Sequence, residues 1–126
     1  MPHHGDPSRV GALSAQLNDC ALTFPEAWQD HPWEHTVVKV RKKIFVFLGS
    51  GDEQSPYSLG VKLPVSAEQA LSMGAAPMGY GLGRHGWVTV GLRKPLLPYD
   101  ILADWVEESY RAIAPKTLVA RIPTDS

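Results

Sequence analysis

Two groups of cations stand where the chain is expected to turn: Lys39, Arg41, Lys42 and Lys43 around one turn, Arg84 and His85 around another. Ammonium and guanidinium groups on such tips donate to phosphate oxygens, which positions a protein on nucleic acid without reading bases. Arg93 and Lys94, at the far end of the strand that follows the second tip, extend the set. A second chemistry is open to the same stretch. Tyr80, Arg84, His85 and Trp87 could line a pocket in which His85 moves a proton and Arg84 clamps an anion. No nucleophile–base–orienter pattern, phosphate-cradling loop or metal-ligand spacing accompanies them, so the sequence predicts a non-enzymatic protein with no catalytic residues and no cofactor.

Other reactive residue types read as structural. Cys20 sits among Leu17, Ala21 and Leu22 on a helical pattern and is expected to be a small apolar core residue. His31, Glu34 and His35 superficially resemble a zinc-protease helix, but the order is H-P-W-E-H. Pro32 would prevent the helix that puts both histidines on one face. His3 and His4 lie in a Pro/Gly-rich leader without fixed geometry, so no metal site is predicted.

The elements that must carry the tips follow from periodicity. Val10, Leu13, Leu17 and Ala21 predict an amphipathic helix from about residue 9 to about 22, opened by Ser8 and ended by Pro25, with Gln16, Asn18 and Asp19 in water. Phe24 to His35 holds two prolines and reads as an aromatic-rich loop lying on the domain. Thr36–Arg41 alternates, and Ile44–Leu48 is apolar on both faces; the two form a hairpin whose tip is basic. Tyr57, Leu59, Val61 and Leu63 alternate with polar or small residues as a half-buried strand. Ser66 and Gln69 have capping-box spacing for a short helix that Gly74 stops. Gly79–Val90 reads as a tight β-hairpin: strand at 79–82, turn at 83–86, return strand at 87–92. Its glycines are expected at positive φ or at close backbone approaches, with Tyr80 and Trp87 as anchors. A long helix opens near Pro98, carries Ile101, Leu102, Trp105, Val106, Tyr110 and Ile113 inward, and stops at Pro115. Residues 116–122 fit either a turn of helix or an extended tail.

Composition sets bounds. The 126 residues suit one domain, and 44% hydrophobic with 20% charged residues is ordinary for a globular protein. Net charge is −1, so any basic surface must be a local patch. A lone cysteine, no apolar run long enough to span a bilayer and no apolar leader predict a cytoplasmic protein with no membrane association. The expected fold is α+β: a single domain with a largely antiparallel sheet of about five strands. An N-terminal helix, a short middle helix and a long C-terminal helix pack on that sheet.

Several short motifs occur in a fixed order along this chain. They are the Pro25 loop leading to Pro32-Trp33, Lys39-Val40-Arg41 before Lys43-Ile44-Phe45, Leu59-Gly60-Val61-Lys62, Gly79-Tyr80, Arg84, Trp87-Val88-Thr89-Val90 and Glu107-Glu108-Ser109-Tyr110. In this the chain resembles the MmcQ/YjbR family, small bacterial α+β proteins with a double-wing, frataxin-like fold. The resemblance implies one such domain over residues 8–123, while the polar, Pro/Gly-rich composition of residues 1–7 predicts a flexible tail. The resemblance also implies structural roles for Tyr80, Trp87, Ser109 and Tyr110, and DNA binding by analogy with the family's winged shape. Departures fall in the central stretch. Gly83-Arg84 replaces a common Asn-Lys pair, Gly86 an often-found His, and Val88 a common Asn. The expected partner is therefore DNA, held by Lys39, Arg41, Lys42, Lys43, Arg84 and His85. A homodimer or protein interface at a strand edge or at Trp28 and Trp33 is the alternative, since tryptophan is enriched at binding hot spots. A small-molecule pocket near Tyr80, Arg84 and Trp87 is the third reading.

Overall fold

The computed structural model describes residues 7–31, 36–49, 58–79, 82–92 and 97–122. In chain order these form α1 (Pro7–Leu22), β1 (Ala27–Asp30), β2 (Thr36–Val40), β3 (Lys43–Leu48), β4 (Ser58–Lys62), α2 (Ala67–Ser72), β5 (Ala76–Pro77), a 3-10 turn (Leu82–His85), β6 (Trp87–Gly91), α3 (Tyr99–Ile113) and α4 (Lys116–Val119). The architecture is α+β. A six-stranded sheet in the order β1-β2-β3-β4-β6-β5, antiparallel throughout, is packed by α1, α2 and α3. No described helix is long and apolar enough to cross a membrane.

The alternation read from Leu59, Val61 and Leu63 holds, for all three side chains are fully buried, together with Val88, Val90 and Leu92 of the neighbouring strand segment. Leu17 and Ala21 of α1, and Leu102, Trp105, Val106 and Tyr110 of α3, close the same core. The aromatic centre is Tyr110, whose ring stacks on Phe24 at 4.9 Å and meets Phe45 edge-on at 5.1 Å. On β3 the register shifts, so that Val38 faces Val46 while Lys39 faces Ile44. The extra residue is Phe45, and this bulge lets consecutive Phe45 and Val46 enter one core. Phe47 then meets Trp87 edge-on at 5.4 Å.

Four local expectations need correction. The segment between Pro25 and Pro32 is not wholly irregular: four residues, Ala27–Asp30, fit between the prolines as edge strand β1. The hairpin into Trp87 is not tight, because its incoming strand is Ala76–Pro77 and residues 82–85 coil as a 3-10 turn. The glycine-rich segment offers few side chains to pack, so main-chain bonds set the path: Met78 N–H donates to Trp87 O at 3.0 Å and Gly83 N–H to Met78 O at 3.1 Å. Ser66 does not cap α2 with its side chain; its hydroxyl donates instead to Glu108 Oε1 on α3 at 2.7 Å. Asn18 is half-buried rather than solvated, and its Oδ1 has no hydrogen-bond partner among the described residues.

The stop at Gly74 is a Schellman ending. Gly74 adopts φ 106°, its N–H donates to Leu71 O, and Ala75 N–H donates to Ala70 O. The C-terminal segment is helical, as α4. Cys20 is half-buried against the core. Burial pushes its thiol up, with Glu107 and Asp104 pushing the same way against a bond to Tyr99, and this disfavours a nucleophilic thiolate. Burial raises the hydroxyls of Tyr99 and Tyr110 as well.

These shifts carry a sign. In the unfolded chain the same groups release their protons first, so above their ordinary values the unfolded state binds fewer protons and stability falls with pH. Their stabilising contribution is complete below the ordinary 9.0 of the thiol and 10.0 of tyrosine, and is lost as pH rises through the raised folded values. Urea midpoints measured from pH 8 to 11 should fall on the alkaline side, where a flat profile would contradict the burial of these groups.

Candidate polyanion-binding end of the sheet

The β2–β3 turn begins at Val40, which pairs with Lys43, leaving Arg41 and Lys42 as a two-residue connection. Arg41 takes φ 57°, and Glu26, just before β1, takes φ 59°. Left-handed backbone costs a non-glycine residue about 1–2 kcal/mol, so surrounding contacts must hold both residues there. The contacts are visible. Arg41 Nε donates to Glu26 Oε1 at 3.2 Å, and Trp28 Nε1 donates to Arg41 O at 2.8 Å. Lys39 Nζ lies 5.1 Å from the Trp28 ring centroid and 2.8 Å from Asp30 Oδ2. That ammonium, followed by the His31 N–H, holds the Asp30 carboxyl below its usual range. Trp28, 43% exposed, is thus tied to the turn it supports.

Of the first cationic group, then, Lys39 and Arg41 are ion-paired and Arg41 is the strained support of the turn. Lys42 and Lys43 are exposed, with no ion pair among the described residues.

The second tip is built by backbone. Gly86 has φ 89°, its carbonyl accepts from Leu63 N–H at 2.7 Å, and a side chain there would lie 3.2 Å from Leu63 O. At Gly83 an added Cβ would stand 2.8 Å from Pro77 Cβ. Both glycines are therefore structural, as their spacing suggested, and they leave Arg84 and His85 exposed. A shallow hollow of about 660 Å³ opens beside them, with Glu68, Pro64 and Val65 on its other wall. Trp87 is 8% exposed and anchors the strand against Phe47. Tyr80, Arg93, Lys94, Trp33, Glu34 and His35 lie outside the described residues, as do His3 and His4. No group of three metal-ligating side chains gathers among the described residues.

Strand order brings the two tips together. Val46 faces Val61, and Lys62 faces Trp87, so the β2–β3 turn, the end of β4 and the start of β6 lie at one end of the sheet. A single strand, β4, separates β3 from β6, so those two strands run about 10 Å apart at ordinary strand spacing. The Debye length is about 8 Å at physiological salt and lengthens as salt falls, so the two tips couple most strongly at low ionic strength. Lys62 stands between them and Lys116 of α4 borders the first tip. Most carboxylates near this end are engaged; the exception among the described residues is exposed Glu68, which faces Arg84 and His85 across the hollow. Glu26 meets Arg41 and Arg121, Glu107 meets Arg111, and Glu108 accepts from Val65 N–H, Ser66 N–H and the Ser66 hydroxyl. Asp104 is exposed on α3 and, with Glu107, acts on the Cys20 thiol, while Asp52 and Glu53 lie outside the described residues.

The motif that sequence reasoning assigned to the family frame proves to be a three-residue tie. Glu108 bonds the loop after β4, Ser109 bonds β3 and β4, and the Tyr110 hydroxyl donates to Pro25 O at 2.7 Å. Ser109 is fully buried; its Oγ donates to Phe45 O at 2.6 Å and accepts from Lys62 N–H at 2.9 Å. Direct pairing of β3 and β4 stops at Val46 and Val61, and the hydroxyl takes the place of the next rung. A serine inside an otherwise apolar helical stripe was the signal that could have found it.

A frame of this kind, a six-stranded antiparallel sheet tied to a C-terminal helix by the Glu108-Ser109-Tyr110 run, defines the class of protein. The YjbR family model matches residues 22–112, and the chain belongs to that family. Among solved structures the chain is similar to the crystal structure of Deinococcus radiodurans protein DR2400, described with the domain DUF419. Identity is 26% and the TM-score 0.65 over 82% of this chain and 79% of that one. No curated protein matches.

Proposed function

We propose that the protein binds duplex DNA by its phosphate backbone, using the cationic end of the sheet. The observation that carries this reading is the strand order, which sets Lys42 and Lys43 on one side of β4 and Arg84 on the other, with Lys62 and Lys116 beside them. Backbone strain concentrated at Glu26 and Arg41 supports it, because strained residues gather where a chain is held for binding. Lysine and arginine on turns place phosphates without reading bases, so the expected binding is sequence-tolerant.

The test is affinity for a short duplex across salt. Each phosphate neutralised contributes about 0.9 to the slope of log K against log salt, so these five cations predict a slope of about −4.5. An affinity insensitive to salt, or no binding at low salt, would overturn the reading.

The hollow beside Arg84 and His85 keeps a small-molecule reading in view, with Arg84 as the anion clamp. Exposed Trp28 on edge strand β1 does the same for self-association. Inorganic phosphate titrated in calorimetry would test the first, and sedimentation at two protein concentrations the second.

A further inference from the structure

Beyond the tips themselves, a separate cleft of about 540 Å³ lies between the β2–β3 turn and the corner joining α3 to α4. Half-buried Ile113 and Pro115 give it apolar surface above the buried Val40 and Ala114, and Lys42, Lys43 and Lys116 stand around it with Arg41. The volume falls within the range of small-molecule sites, which combine mostly apolar walls with a few convergent polar groups. Among the described residues no carboxylate lines it. The end of α3 contributes about half a negative charge, which the three ammonium groups outweigh.

We infer that this cleft binds a small amphipathic anion, a monocarboxylate with an acyl tail. The tail lies on Ile113 and Pro115, and the carboxylate meets Lys42, Lys43 and Lys116. Complementarity argues for this occupant over a neutral apolar one, because a neutral molecule would leave the ammonium groups without a counter-charge. It argues against a cation for the same reason. The tail adds what a bare inorganic anion lacks: burial of about 25 cal/mol for each Å² of apolar surface removed from water. The inference does not rest on DNA binding, since Arg84 lines a different hollow.

The experiment is titration of the full chain with decanoate, followed by calorimetry and by amide chemical shifts, with decanol as the uncharged control. Decanoate should bind saturably, one to one, with the largest shifts at residues 40–43 and 113–116. Decanol should bind at least about tenfold more weakly, and Lys116→Glu should weaken decanoate by about tenfold, as reversal of a nearby charge demands. Ile113→Asp should remove binding; because Ile113 is half-buried, its fold is checked by circular dichroism, and the exposed Lys116→Glu carries the test if it unfolds. Arg84→Glu should leave decanoate affinity unchanged while weakening duplex binding, so the two readings fail separately. No saturation at millimolar decanoate, equal affinity for decanol, or indifference to Lys116→Glu would each overturn the inference.

Discussion

Tyr110→Ala should lower the unfolding free energy by about 3–5 kcal/mol, as large aromatic-to-alanine changes in packed cores do. The side chain is fully buried, and its ring is held between Phe24 and Phe45. Truncation removes the ring's burial, leaves a cavity at the junction of α1, β3 and α3, and strands the Pro25 carbonyl. Tyr110→Phe keeps the ring and removes only the hydroxyl, so it should cost about 1 kcal/mol, the usual net worth of one hydrogen bond. Urea unfolding distinguishes the two: both midpoints fall and m is unchanged if the native fold persists. Similar costs for the two variants would mean that the Pro25 bond, rather than ring packing, dominates. A functional consequence follows from chain order, because Pro25 precedes Glu26, the residue that holds Arg41.

Ser109→Ala should cost about 2–4 kcal/mol, although it removes a single oxygen. Two backbone groups, Phe45 O and Lys62 N–H, share that hydroxyl at the point where β3 and β4 cease to pair directly. Each buried group left unsatisfied costs about 1–3 kcal/mol, and partial solvent access at Lys62 keeps the sum below the maximum. Hydrogen exchange should report the site directly, with the Lys62 amide losing protection while those of Leu59 and Val61 keep theirs. A cost under about 0.5 kcal/mol would show that the two strands close onto each other without the hydroxyl, removing its role as a rung.

How much of this could be read in the residues depends on the range of the interaction. Leu59, Val61 and Leu63 alternate, and a period of two needs only the strand itself to be recognised. The α3 stripe and the Glu107–Arg111 pair, at 2.8 Å, are equally local. Misreadings arose where a distant group displaced a local one. Ser66 and Gln69 have the capping spacing, but a carboxylate 42 residues further on takes the hydroxyl and the main-chain N–H. The Phe45 bulge is silent in the pattern, because an apolar run looks the same with or without an extra residue. At the candidate site the residue types were legible and their relation was not. Nothing in the run Lys39–Lys43 shows that Lys39 and Arg41 are ion-paired with Asp30 and Glu26, since both acids precede the strand they pair with. Nor does spacing alone place Arg84 at the same end of the sheet as Lys42. That follows from β4 lying between β3 and β6, which only the sheet order supplies.

The central claim is that the two tips act as one electrostatic surface for a phosphate backbone. The most direct measurement is fluorescence anisotropy of a labelled duplex at fixed low salt, with wild-type protein, Lys42→Glu/Lys43→Glu, Arg84→Glu and the triple variant. Each tip's reversal should weaken binding, the triple variant should bind least, and each cation removed should reduce the salt slope by about one. Unchanged affinity in Lys42→Glu/Lys43→Glu, with the protein still folded, would contradict the account.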